Sequence, residues 1–327
     1  MKKLKKIIVV FLLVFLLSGC TEQLVVEKTN DDGKKTDVVV KYDEGNNATG
    51  QTLTKNILCR PSDEDLVNIY NENGVDTDKL VSCDDFAPSL NNDEGIWDNI
   101  FIKPLAWVIL KLGYLVKNFG LAVILAGLAI RLVLYPVTKK SAMQSENLKK
   151  AQPELQRLEK KYANKTDDQQ AMMQKSQEMM AIYKKYNISL FSGCIIAFIQ
   201  LPLFIAFLEA INRTPAIFEG HFLGLQLGTT PWFALSQGNF WYIIIPVIVF
   251  LVTFFSFKFT RNDVTDTSNP AAGSTKIMMN VMVVVITISS FQLSTAIGLY
   301  WITSSLFTII QNLLVARGGN RAKIKKS

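Results

Sequence analysis

The sequence has only one histidine in 327 residues, His221, and no cluster of ligand-type residues surrounds it. That excludes a histidine metal site and leaves no histidine base for a nucleophile. No G-x-x-x-x-G-K stretch occurs, so there is no phosphate loop to hold a nucleotide. The long apolar runs contain a single acid, Glu209, and show no internal repeat. A secondary transporter ordinarily has both repeats and intramembrane carboxylates for ion coupling. These absences point to a protein that is not an enzyme and has no cofactor and no metal.

The apolar residues, 49% of the chain, are unevenly spread. Residues 21–95 are polar and acidic, with 17 Asp and Glu against 7 Lys and Arg. From about residue 100 onward, runs of 18 or more apolar residues recur. A helix rises ~1.5 Å per residue and needs ~20 residues to cross ~30 Å of hydrocarbon, so such runs read as bilayer spans. The net charge of +7 lies largely beside those spans, which favours membrane orientation and anionic lipid over nucleic acid.

Residues 1–19 read as a targeting segment. Lys2, Lys3, Lys5 and Lys6 precede a short apolar run at 7–17, then Ser18-Gly19-Cys20. The end of this run resembles the lipobox of bacterial lipoproteins, in which the cysteine takes a diacylglycerol and becomes the first mature residue. The other reading is an ordinary signal peptide with a chance cysteine. Residues 20–95 would lie outside the membrane, burying little and ordering only in part. Val38-Val39-Val40 is a short strand candidate. Residues 63–70 suit a short helix capped by Ser62, with Asp65 three residues on. Cys59 and Cys83 are either a disulfide or two free thiols.

The expected fold class is all-α, an integral membrane protein of five transmembrane helices with a cytoplasmic helical hairpin and an outer amphipathic helix. The amphipathic helix is 96–117, read as interfacial because Lys103 and Lys111 interrupt it and Trp97, Trp107 and Tyr114 suit a membrane surface. Spans are expected at 118–137, 191–211, 240–259, 277–294 and 297–316. Between them lie the hairpin segment 138–190, an outer loop at 212–239 and a cytoplasmic loop at 260–276, with a basic tail at 317–327. Eleven Lys and Arg in 138–190 and five in the tail, against one in 212–239, place the hairpin and the C-terminus in the cytoplasm. An outside N-terminus at Cys20 agrees. The hairpin arms are 145–162 and 168–186, joined by a turn at 164–167. Met172, Met173, Met179 and Met180 crowd the second arm, either as a yielding surface for apolar partners or as packing against the first arm.

Arg131 stands inside the first expected span. An arginine near mid-bilayer costs roughly 2.5–3.5 kcal/mol on insertion scales, so it normally faces a polar cavity or a partner. It is also only about six residues, roughly 9 Å, from the cytoplasmic end, and could snorkel to lipid phosphates. Glu209 is displaced from it by on the order of 15 Å along the helix axes and is not expected to pair with it. Gln200, Gln292, Thr303, Ser304, Ser305 and Gln311 are polar residues available to line a cavity around it.

The order of segments resembles the YidC/Oxa-type membrane protein insertase family in its bacterial lipoprotein form. Local motifs resemble it too: Arg131-Leu-Val-Leu-Tyr135-Pro136, Gln177-Glu178-Met179-Met180, Gly193-Cys194 with Gln200-Leu201-Pro202, and Gly298-Leu299-Tyr300-Trp301. The resemblance covers about 95–318. The family often has prolines where this chain has Leu190 and Ile196, so the entry to the second span is expected to bend differently. The resemblance implies insertion and folding of membrane proteins through a hydrophilic groove containing Arg131, without nucleotide hydrolysis. It implies that Tyr300 and Trp301 contact substrate, the alternative being ordinary packed aromatics. Gln200 and Gln292 complete the expected groove. Implied partners are nascent membrane proteins, the Sec translocon, the ribosome and anionic lipids. The implied location is the bacterial cell membrane. A polar-groove lipid scramblase is the rival in another class, and a secondary transporter a weaker one.

Overall fold

The computed structural model describes residues 22–29, 35–43, 47–89, 95–163, 168–189, 192–260 and 270–324. The expected targeting segment, Cys20 and the hairpin turn at 164–167 lie outside the described residues. The described chain is mostly helical. Three small antiparallel strand pairs accompany the helices: β1 (Val25–Thr29) with β2 (Lys35–Val39), β3 (Lys41–Tyr42) with β4 (Gln51–Thr52), and β5 (His221–Phe222) with β6 (Leu225–Gln226). The helices are α1 (Glu64–Glu72), α2 (Lys103–Val116), α3 (Phe119–Val133), α4 (Tyr135–Tyr162), α5 (Gln169–Lys185), α6 (Ser192–Asn212), α7 (Pro215–Glu219), α8 (Pro231–Ser236), α9 (Ile244–Thr260), α10 (Pro270–Ser290) and α11 (Thr295–Ile324).

Among the described residues, three helices are long and apolar enough to cross a membrane, Asp98–Val116, Phe240–Phe259 and Thr295–Arg317. A bent pair, Phe119–Val133 with Tyr135–Tyr162, makes a fourth if counted as one span, while Gln200–Asn212 and Asn280–Ser290 are shorter apolar helices. Three to four candidate spans therefore stand where five were expected. The helix expected to be interfacial is among them. Its two lysines do not simply oppose the bilayer: Lys103 Nζ donates to the carbonyl of Ser89 at 3.1 Å and Lys111 Nζ to that of Asp84 at 3.0 Å. One face, with Leu105, Ala106, Ile109 and Leu110, is buried, while Trp107, Tyr114 and Leu115 are exposed. That is the 3.6-residue period of a helix packed on one side only.

The chain forms two compact units. The first holds residues up to 127, 201–246 and 289–301; the second holds 128–200, 247–288 and 302–327. In the first, the acidic segment is better built than its composition suggests. Leu24, Tyr42, Leu53, Ile57, Leu66 and Tyr70 form a core, and Phe218 from α7 completes it. The expectation that residues 20–95 bury little is thus corrected for the described part. Its acids stay at the surface, and its few apolar residues converge from far apart in sequence. The Cys59 and Cys83 sulfurs are bonded, 24 residues apart in the chain. The predicted strand at 38–40 falls on β2 and its end. The cap of α1 is Asp63, not Ser62: the Asp63 carboxylate accepts from the amides of Asp65 at 2.9 Å and Leu66 at 3.4 Å. Ser62 is drawn away instead, its amide donating to the Glu219 carboxylate at 3.0 Å.

In the second unit α4 and α5 pack antiparallel around Leu158, Tyr162 and Ala171, with Met179 and Ile182 against them. The first arm begins at Tyr135, ten residues before its expected start, because α4 follows directly on α3. The second arm starts after Asp168, whose carboxylate accepts from the Gln170 and Ala171 amides at 2.8 and 3.2 Å. The four methionines divide: Met179 packs inward, while Met172, Met173 and Met180 are exposed.

Candidate functional site

The site is built at the end of α3. That helix stops at Val133, and the chain bends by 70° into α4. Pro136, in the first turn of α4, has no amide to donate back into the last turn of α3, so the helix ladder is interrupted there. The expected straight span over 118–137 is therefore broken at Leu134. The break leaves Arg131 in the last turn of α3, where a cation meets the negative end of the helix dipole.

Arg131 is buried, with 7% of its surface accessible. Its Nη2 donates to Gln200 Oε1 of α6 at 2.5 Å and to Ser304 Oγ of α11. Both acceptors are neutral. A second buried polar pair belongs to the same unit: Gln311 Nε2 of α11 donates to Thr138 Oγ1 of α4 at 2.9 Å. Thr138 also donates back to the carbonyls of Leu134 and Tyr135, at 3.1 and 3.2 Å, beside the helix break. Four helices, α3, α4, α6 and α11, thus bring one cation, two amides and two hydroxyls together within a single unit. Buried groups of this kind require partners, and these supply them to one another.

Of the residues expected at the site, the structure brings Arg131, Gln200 and Ser304 together, and sets Gln311 against Thr138. Gln292, Tyr300 and Trp301 belong to the first unit. Gln292 is exposed there and lines a cavity of about 720 Å³. Tyr300 is fully buried and stacks on Phe207, with ring centroids 3.8 Å apart, and Trp301 meets Phe204 edge-on at 5.1 Å. Glu209, the lone acid of the expected spans, pairs with Arg213 at 3.7 Å, and Arg213 also binds Asp98 and the Asn56 carbonyl. The i, i+4 spacing of Glu209 and Arg213 is a signal that sequence reasoning could have used.

Sequence reasoning also missed a duplication in the hairpin. Residues 154–162 and 178–186 share the pattern E-x-x-x-[LI]-x-K-K-Y. In the antiparallel pair each glutamate meets the other arm's K-K-Y. Glu154 accepts from Lys185 at 2.6 Å and Tyr186 at 2.9 Å; Glu178 accepts from Lys161 at 2.6 Å and Tyr162 at 2.9 Å. Those lysines hold both carboxyls below the ordinary glutamate range, with the tyrosine hydroxyls adding to the effect.

Comparison with known proteins places these features. The model of the family described as "60Kd inner membrane protein" matches residues 111–323, which include Arg131, Gln200, Ser304, Gln311 and both hairpin arms. The membrane protein insertase YidC of Oceanobacillus iheyensis is 33% identical over 243 residues, 73% of this chain and 91% of that protein. Membrane protein insertase YidC 1 of Halalkalibacterium halodurans is 35% identical over 238 residues, covering 72% and 85%. Membrane protein insertase MisCA of Bacillus subtilis is 32% identical over 238 residues, with the same two coverages. A crystal structure of an active YidC insertase with its first transmembrane domain resolved aligns at a TM-score of 0.49 and 23% identity. That alignment covers 76% of this chain and 49% of that one, so this chain spans about half of it. With the family model matched over most of its length and with these relatives, the chain belongs to the YidC/Oxa family of 60Kd inner membrane proteins.

Proposed function

We propose that this protein inserts integral membrane proteins and helps them fold, using Arg131 as a fixed buried cation for the polar tail of the incoming chain. The observation that carries the proposal is the burial of Arg131 beside Gln200 of α6 and Ser304 of α11. Hydrogen bonds from a charged group to neutral acceptors contribute about 1.5–3 kcal/mol. A carboxylate at about 4 Å is worth about 4 kcal/mol at an effective dielectric of about 20. The two bonds together are worth about 3–6 kcal/mol, so an acidic tail offers Arg131 an attraction comparable to the partners it displaces. The tail is drawn part-way across a shortened barrier. Its apolar segment then moves sideways into lipid, which is favourable by itself. No nucleotide enters this cycle; the membrane potential acts on the charges of the tail.

The topology that fits has the hairpin and tail in the cytoplasm, five spans, the 96–117 helix on the outer surface and Cys20 lipidated outside. In it, the hairpin meets nascent membrane proteins first, and the basic tail faces anionic lipid, the ribosome and the Sec translocon. Trp301 and Tyr300 are the aromatics proposed for substrate contact. The test is reconstitution. Liposomes containing only this protein should insert a small single-span substrate with an acidic outward tail, and empty liposomes should not. A parallel lipid head-group exchange assay should show no acceleration. Exchange without insertion would transfer the assignment to a scramblase.

A further inference from the structure

The first unit contains a cavity of about 720 Å³, within the size range of ligand pockets. Its wall comes from two sources. Gln23, Gln51, Thr52 and Thr54 belong to the segment before residue 111, outside the family match. Asn212, Ser236, Gln292 and Ser294 belong to the family core. The two sources are locked together. Thr230 N donates to the Thr49 carbonyl at 3.0 Å, and Leu58 N to the Arg213 carbonyl at 2.7 Å. Arg213 in turn binds Asp98 and Glu209.

Three polar atoms of the lining residues stand out. Gln51 Oε1, Thr54 Oγ1 and Ser294 Oγ are buried without a partner. Such atoms are costly to leave unpaired, and a small shift of these side chains would turn them toward a polar occupant. The polar wall is mainly neutral, its carboxamides coming from Gln23, Gln51, Asn212 and Gln292; its two charges, Lys41 and Asp43, are exposed and opposite in sign. A carboxamide offers one acceptor and a donor pair, the same functions as a peptide bond. The same wall also holds Leu208, Trp232, Phe233, Leu293 and Ile297. A wall that offers both amide-like groups and aliphatic and aromatic ones suits an extended polypeptide, which presents peptide groups and side chains together.

We propose that this cavity binds a short, uncharged polar stretch of polypeptide, namely the exported tail of an inserting protein. The occupant's identity rests on the insertase function proposed above; the peptide site itself does not. The experiment is fluorescence anisotropy on the full chain in detergent, with a labelled peptide Gly-Asn-Ser-Thr-Gln-Gly. Saturable binding is expected, displaced by unlabelled peptide. Thr52→Trp, which fills the cavity, should weaken it at least tenfold. Gln51→Leu keeps volume but removes a carboxamide, and should weaken it about fivefold, the loss of roughly one hydrogen bond. Both variants must elute as the wild type on gel filtration. No saturable binding, binding unchanged in both variants, or displacement by chitin oligosaccharide at lower concentration than by peptide would each overturn the proposal. Insertion is measured on the same preparation in liposomes. Peptide binding without insertion would sink the insertase function and leave the site standing; insertion without peptide binding would do the reverse.

Discussion

Replacing Arg213 by methionine should be among the most damaging single changes in the first unit. The Arg213 side chain is 4% accessible and sits between the carboxylates of Asp98 and Glu209 while its Nε donates to the Asn56 carbonyl at 2.7 Å. Methionine keeps the apolar stem and removes the charge. At an effective dielectric of about 20, the attraction to one carboxylate near 4 Å is about 4 kcal/mol. Part of it is offset by desolvation in the native protein, but deletion of one partner strands the others, which typically costs about 3–5 kcal/mol. Asp98 retains some access to water, so the lower end of that range applies. Since each ~1.4 kcal/mol is a factor of ten, local opening of the outer segment should become about a hundredfold more frequent. Limited proteolysis of the full chain in detergent would measure this as the rate of cleavage within residues 55–89. Glu209→Gln combined with Arg213→Met should cost less than the two separate losses added together. A change of less than fivefold in cleavage rate for Arg213→Met, or strict additivity in the double variant, would refute the charge-network argument.

Two further outcomes follow from the same structure. Reducing the Cys59–Cys83 bond, or Cys59→Ser, should lower the stability of the outer segment by about 3.5 kcal/mol in the chain-entropy account of a 24-residue closure, seen as faster proteolysis in dithiothreitol. The hairpin clasp should depend on pH and salt. The folded carboxyls of Glu154 and Glu178 are depressed, so their contribution is present above the ordinary glutamate value of about 4.3 and is lost as pH falls through the folded value. Lys161 and Lys185 are raised, so theirs is complete below about 10.4 and is lost as pH rises through the folded value. Distances between spin labels on the two arms should therefore stay narrow at neutral pH and broaden in acid or strong salt. A distribution unchanged at pH 3 would remove the clasp from the account.

The parts legible in sequence were those governed by local periodicity and local charge. The apolar runs, the two hairpin arms and the position of Arg131 follow from the 3.6-residue period and the cost of a cation in hydrocarbon. Two features were written locally and still overlooked: the break at Leu134, signalled by Pro136, and the duplicated glutamate and K-K-Y pattern. Others could not be read locally. The core of residues 22–89 needs Phe218, more than a hundred residues downstream, so its own sequence looks too polar to fold. Ser62 fits a cap by type, but Glu219, equally distant in the chain, takes its amide and Asp63 caps instead. For the site itself, sequence offered a list of polar residues. Only the packing of α3, α6 and α11 shows that Gln200 and Ser304 reach Arg131 while Gln292 belongs to the other unit.

The central claim is that a positive charge at residue 131, and not its shape or its hydrogen bonds alone, moves substrate. It is tested most directly by insertion of an acidic-tailed single-span protein into liposomes holding wild type, Arg131→Lys, Arg131→Gln or Arg131→Ala. The account predicts substantial insertion with lysine and a loss of tenfold or more with glutamine and alanine, the loss shrinking when the substrate tail is made neutral. Normal insertion by the alanine variant would contradict it and leave Arg131 as an anchor between helices.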